Sequence, residues 1–160
     1  MPSPTDPHGD FGWRRLNPGR VLSQALQRFE SRVLELMAEA GHGQTRRAHV
    51  NLTRHLDVDG TRITELARRA GMTNAAMTEL IDQCESLALV ERVADPADRR
   101  ARVVRFTPAG RKWLAAFGRA VARATREMED EVGAGAMAAL LGEVASYGAA
   151  HAAETSTRGA

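Results

Sequence analysis

The segment from Ile63 to Leu89 constrains this chain most, because its glycine and its apolar spacing admit few chain paths. Leu66, Ala67 and Ala70 give a first helix its inward side. Gly71 stands where that helix must stop, and glycine tolerates the left-handed conformation such a stop needs. Thr73 is a good N-cap for a second helix. In that helix Met77, Leu80, Ile81, Cys84 and Leu87 recur at three- and four-residue steps, which is one helical face. The small Ala67 suits two helices that cross steeply and approach closely. The opposite face carries Asn74, Ala75, Thr78, Glu79 and Asp82. It is small and polar, as a face entering a major groove has to be. The pattern predicts a helix-turn-helix, although an ordinary helical hairpin with a glycine turn produces something similar.

The residues after Leu89 add weight to the helix-turn-helix reading. Val90 to Val93 reads as a short strand, Asp95-Pro96-Ala97-Asp98-Arg99-Arg100 as a turn, and Val103, Val104 and Phe106 as the return strand. Together they make a hairpin with an arginine-studded tip. Thr107-Pro108 then caps another helix, with proline at its first position. Between Arg92 and Lys112 seven basic residues face two acidic ones, while from Glu127 onward six acidic residues face one basic. This asymmetry matters more than the formal net charge of +2. It suggests a nucleic-acid face at one end of the molecule, with a solvated arginine-rich loop as the plainer alternative. Asp95-Pro96 is assigned ordinary turn chemistry.

The flanks are helical. Residues 1–17 are rich in proline, glycine and charge and are expected to be a mobile arm, partly ordered by docking of Phe11 and Trp13. Asn17-Pro18 caps a long helix in which Leu22, Leu26, Phe29, Val33, Leu36 and Met37 form a stripe, ending near Gly41 and Gly43. A second helix is expected over about 45–56, with Ala48, Leu52 and Leu56 inward. Asp57 to Gly60 is a turn and Thr61 to Ile63 a short strand. After Pro108, Leu114, Phe117, Val121, Ala124 and Met128 line one helix, which Gly133 and Gly135 break. Met137, Leu140, Leu141, Val144 and Tyr147 line a last one, and residues 155–160 are expected to fray. Frequent alanine and only 4% aromatics favour this helical reading over a sandwich or barrel. The expected architecture is mainly α with a small β-hairpin wing: a winged helix-turn-helix flanked by long terminal helices. Those helices can pack within one chain or intertwine with a second copy.

The helix-turn-helix from Leu66 to Leu80, the exit Glu85-Ser86-Leu87-Ala88-Leu89-Val90-Glu91-Arg92, the wing Asp95 to Arg100 and the closing Phe106-Thr107-Pro108-Ala109-Gly110 together resemble the MarR family of transcriptional regulators. The helix order from about Pro18 to His151 fits the family layout as well. The resemblance implies a homodimer held by residues 18–44 and 108–154, with residues 45–107 as the DNA-reading lobe of an 18–154 domain. Such dimers bind a pseudo-palindromic operator, usually as repressors. They are often released by a small ligand, frequently a phenolic or other aromatic acid.

A helix reads bases from its N-terminal part, so Asn74, Ala75 and Thr78 are the candidate readers. Thr64 and Thr73, at two helix starts, can present backbone N–H groups to phosphates. Arg99 or Arg100 can enter the adjacent minor groove; the resemblance favours Arg100, with Asp98 orienting it by an ion pair. Arg102 and Lys112 are candidate phosphate contacts. For a ligand, Trp13 can supply an aromatic wall, Arg14 and Arg15 carboxylate-binding guanidinium groups, and His49 a polar contact. Trp13, Arg14 and Arg15 serve equally well as part of an arm or of dimer packing.

Other classes find less support. No cofactor-binding loop and no nucleophile–base set is present, so the chain does not read as an enzyme, and no cofactor is expected. One cysteine excludes a multi-cysteine zinc site. His42, His49 and His55 are not spaced for a metal site, and the clustered histidines of zinc-sensing members of the family are absent. Cys84 lies on the buried stripe, unlike the N-terminal cysteine of the family's peroxide sensors. No apolar run reaches membrane-spanning length, and the N-terminus lacks a signal-peptide core, so a cytoplasmic protein is expected, with no membrane partner. The main alternative is an architectural DNA-binding protein with no effector.

Overall fold

A computed structural model describes residues 11–15, 17–98 and 100–157, with side chains given up to residue 149. The elements are α1 (Pro18–Glu39), α2 (Arg47–His55), β1 (Thr61–Arg62), α3 (Ile63–Ala70), α4 (Asn74–Ser86), β2 (Val90–Ala94), β3 (Arg102–Phe106), α5 (Pro108–Val132) and α6 (Ala134–Thr157), preceded by a single 3-10 turn at Gly12–Arg14. The fold is mainly α with a small antiparallel sheet, as expected. Two compact units divide the chain, Met1–Ala120 and Val121–Ala160, with the boundary inside α5.

In the first unit α2, α3 and α4 pack on one another, and α3 and α4 also meet the sheet. Leu52, Leu66, Ala67, Met77, Ile81, Cys84, Val104 and Phe106 are buried, and so are Val33, Leu36 and Met37 of α1. The local signals hold. Asn17 Oδ1 accepts the Arg20 N–H at 3.3 Å, with Pro18 at the first helical position. Gly71 closes α3 at φ +63°. Thr73 Oγ1 accepts the Ala76 N–H at 3.1 Å to start α4.

Several details differ from the expected pattern. The short strand expected over Thr61 to Ile63 is present as Thr61–Arg62, but it joins the wing: it pairs with Val104 and Val103 in a three-stranded sheet of order β1-β3-β2, and Ile63 already belongs to α3. The second helix starts at Arg47 rather than near Thr45. There His49 Nδ1 accepts the Arg46 N–H at 3.2 Å, while the Thr45 hydroxyl accepts instead from Trp113 Nε1 at 2.9 Å. Trp113 itself, not singled out by the α5 stripe, is among the most buried side chains and stacks on Phe117 at 5.2 Å. Phe11 and Trp13 are 58% and 61% exposed, so they do not dock. Finally, α6 runs to Thr157, and residues 158–160 of the tail expected to fray lie outside the described residues. Leu22 and Leu26 of the α1 stripe, and Leu140, Leu141, Val144 and Tyr147 of α6, are exposed in the chain.

Candidate nucleic-acid interface

Two projections of the first unit carry the candidate residues. The first is the N-terminal half of α4. Its inward face is closed by Met77, Leu80, Ile81 and Cys84, all buried. That fixes the outward face: Asn74, Ala75 and Thr78 are exposed, next to the turn that Gly71 and Thr73 shape. Thr64 is the second residue of α3 and lies at its outer edge. A polar helix start with outward side chains suits hydrogen bonding to base edges and phosphates.

The second projection is the turn between β2 and β3. Val90 to Ala94 pairs with Arg102 to Phe106 in continuous antiparallel register, which sets the length of the hairpin. Asp95 goes beyond the plain turn chemistry expected of it. It is 7% exposed, accepts the Ala97 N–H at 2.8 Å and receives Arg62 Nε at 2.6 Å. The Ala97 N–H and the Arg62 guanidinium together hold its carboxyl below the usual range. Arg62 is also the N-cap residue of α3, so this pair ties the root of the wing to the start of the helix-turn-helix.

Asp98 does not meet Arg100 as expected. Among the described residues their contact is Asp98 Oδ1 accepting the Arg100 backbone N–H at 3.0 Å, which shapes the turn and leaves the guanidinium outside the bond. Arg100 and Arg102 are exposed, as is Lys112 on α5. Arg99 lies outside the described residues. Two other arginines of the basic stretch are engaged by carboxylates: Arg105 with Glu91 at 2.8 Å, and Arg92 with Asp82 and Glu85 of α4. A count of basic residues could not separate these from the outward-facing ones, because pairing depends on strand register and helix position.

The candidate ligand residues are not brought together. Trp13, Arg14 and Arg15 are exposed on the N-terminal turn and line neither of two clefts in the first unit. His49 is 3% exposed, with its Nδ1 used in capping α2. The residue lines a cleft of about 260 Å³ with Gln44, Arg46, Gln83, Ser86 and Leu87. A neighbouring cleft of about 160 Å³ shares Gln44 and Leu87 and reaches Trp113. Among the described residues no group of three or more potential metal ligands occurs, and no helix is long and apolar enough to cross a membrane. Cys84 is fully buried, and burial pushes its thiol up to about 12.

Known proteins resemble the chain in the same regions. A sequence model of the MarR family matches residues 50–101, from α2 through the turn of the wing. No curated protein matches the chain. Among solved structures, the transcriptional repressor CouR bound to a 23-mer DNA duplex superposes with a TM-score of 0.67 at 23% identity, covering 87% of this chain and 97% of that one. Apo MarR from E. coli gives 0.66 at 19% identity, covering 81% and 96%. The regulator BldR from Sulfolobus solfataricus gives 0.61 at 23% identity, covering 86% and 96%. At these identities the likeness is one of fold.

Proposed function

We propose that this chain, whose winged-helix lobe belongs to the MarR family, is a sequence-specific DNA-binding transcriptional regulator, not an enzyme, acting as a homodimeric repressor. The observation that carries the reading is the pairing of two exposed readers on one lobe. Asn74, Ala75 and Thr78 project from the start of α4, and Arg100 and Arg102 project from a wing whose root is fixed to the same helix-turn-helix. Thr64, Thr73 and Asp98 shape or flank these readers, and Arg99 belongs to the same turn. In this reading residues 45–107 bind DNA, while residues 18–44 and 108–154 hold two copies together. The repressor CouR, solved on a DNA duplex, supports the same use of the fold.

A small effector fits the reading. Gln44, Arg46 and His49 border a cleft that also touches the end of α4, so a ligand there would act on the reading helix directly. Trp13, Arg14 and Arg15 do not line this cleft in one chain, and they would join such a site if the N-terminal turn of a second copy reached it. A ligand releases DNA only through different affinities for the two states.

The test is selection of bound duplexes from a random pool, then titration of the selected and a scrambled duplex over a range of salt. A pseudo-palindrome with half-sites ~10 bp apart is expected for a dimer reading two major grooves. Arg100→Ala should weaken binding and lower the salt slope by about one per lost phosphate-type contact. Equal affinity for every duplex would favour an architectural protein with no effector, and an unchanged Arg100→Ala variant would remove the wing from the interface.

A further inference from the structure

Arg92 stands on β2 with its side chain 24% exposed. Nη2 donates to Asp82 Oδ1 at 2.6 Å and to the Thr78 carbonyl at 3.2 Å. Nη1 donates to Glu85 Oε2, and the Arg92 backbone N–H donates to Glu85 Oε1 at 2.8 Å. Thr78, Asp82 and Glu85 succeed one another at four- and three-residue steps, so they form one stripe along α4. A guanidinium that grips a stripe at three levels fixes the helix against rolling about its own axis as well as against sliding.

Rolling matters here. Successive residues on a helix point about 100° apart, so part of that rotation carries Asn74, Ala75 and Thr78 off the base edges. Thr78 lies in both sets: its carbonyl is held by Arg92, and its side chain is one of the proposed readers. The same strand also leads into the wing. β2 ends at Ala94, and the next residue, Asp95, is held by Arg62. The clamp therefore sets the angle between the two readers.

The charge of the cluster argues against a direct phosphate contact. One guanidinium faces two carboxylates, so the group carries a net negative charge and repels phosphate. Lysine cannot reproduce the clamp, because an ammonium is a compact point charge without the planar fork.

Resting on the DNA-binding reading above, we propose that Arg92 is a positioning residue that sets sequence discrimination by holding α4 at a fixed angle to the wing. The test uses the full chain and the duplex recovered by selection, with its scrambled counterpart, across a salt series. Arg92→Lys and Arg92→Gln are compared with the native protein at equal folded concentration, established by thermal melting. Both variants are expected to lose about tenfold in the selected-to-scrambled affinity ratio, the discrimination carried by one misplaced base contact. The salt slope should stay at the native value. Asp82→Asn should lose less, and adding it to Arg92→Gln should cost nothing further, as two halves of one contact do.

A native ratio in Arg92→Lys overturns the proposal. So does a slope lowered by about one with both duplexes weakened alike, the mark of a phosphate contact. An equal loss on both duplexes at unchanged slope overturns it too, leaving Arg92 a folding role. A native protein that shows no discrimination overturns the DNA-reading proposal itself and this one with it.

Discussion

A single hydrogen atom decides what can stand at position 110. A Cβ built on Gly110 would lie 1.8 Å from the Leu89 carbonyl oxygen and 2.7 Å from its carbon. The approach is that close because Thr107 fastens the start of α5 to the short connection between α4 and β2. Its N–H donates to the Leu89 carbonyl at 3.1 Å, its hydroxyl donates to the Ala88 carbonyl, and the same hydroxyl oxygen accepts the Gly110 N–H at 2.9 Å. Gly110→Ala should therefore destabilise the fold by about 3 kcal/mol, the upper end of overpacking costs, since backbone rather than a flexible side chain must yield. Ala88, just before Leu89, sits at φ +55°. A left-handed alanine costs roughly 1 kcal/mol, so Ala88→Gly should leave stability unchanged or raise it by up to about that amount. Denaturant unfolding of both variants checks the pair; an Ala88→Gly loss above the Gly110→Ala loss would contradict the steric explanation. Cys84 belongs to the same scale. Its buried thiol, held up at about 12, stays protonated near neutral pH, and the thiolate is the reactive form.

At the scale of elements, the start of α2 links stability to pH. His49 is the third residue of that helix, and its Nδ1 accepts the Arg46 N–H. Burial, and then the charge of Arg46, lowers its pKa. His55 at the other end is lowered by burial, then by Arg54 and Arg69. A histidine whose folded pKa is depressed binds fewer protons folded than unfolded. Stability is therefore lost as pH falls through the unfolded value of about 6.5, and the loss levels off below the folded value. The carboxylates contribute in a separate, more acid window: Arg68 and Arg69 hold Glu65 down at about 2. Melting temperature should fall between about pH 7.5 and 5.5. Glutamine suits this capping position without titrating, so His49→Gln should flatten part of that fall. Identical pH profiles for the two proteins would exclude His49 as a contributor.

At the scale of the whole molecule, the apolar residues left uncovered matter most. Val21, Leu22 and Leu26 on α1 are each 45–48% exposed, and Leu140 and Leu141 on α6 are 48% and 50%. Grouped apolar exposure of this kind marks an interaction surface. In the proposed dimer these faces meet a second copy. Leu26→Glu or Leu141→Glu should weaken the dimer roughly a hundredfold or more, because each substitution is present in both copies and removes two buried leucines at about 1.5–3 kcal/mol each. Sedimentation across a concentration series reads this directly. A monomeric native protein, or variants that dimerise like it, would move these faces out of the proposed interface.

The sequence by itself determined what depends on neighbours in the chain. Asn17-Pro18, Gly71, Thr73 and Thr107-Pro108 mark their helix boundaries because caps act over three or four residues. The inward face of α4 was legible because helical period is local, and fixing that face also exposed Asn74, Ala75 and Thr78. Only the tertiary structure decided which charges neutralise one another and which long-range polar pairs form. Nothing in the order of residues says that Trp113 donates to Thr45, that Arg62 takes Asp95, or that Arg92 rather than Arg100 faces the carboxylates of α4. A short strand at Thr61 was legible, but its pairing with β3, which makes it the third strand of the wing's sheet, depends on β3 offering a free edge. These pairings depend on sheet register and helix crossing, which arise once the buried faces have packed, so the wing's division into clamped and outward-facing arginines is a property of the fold.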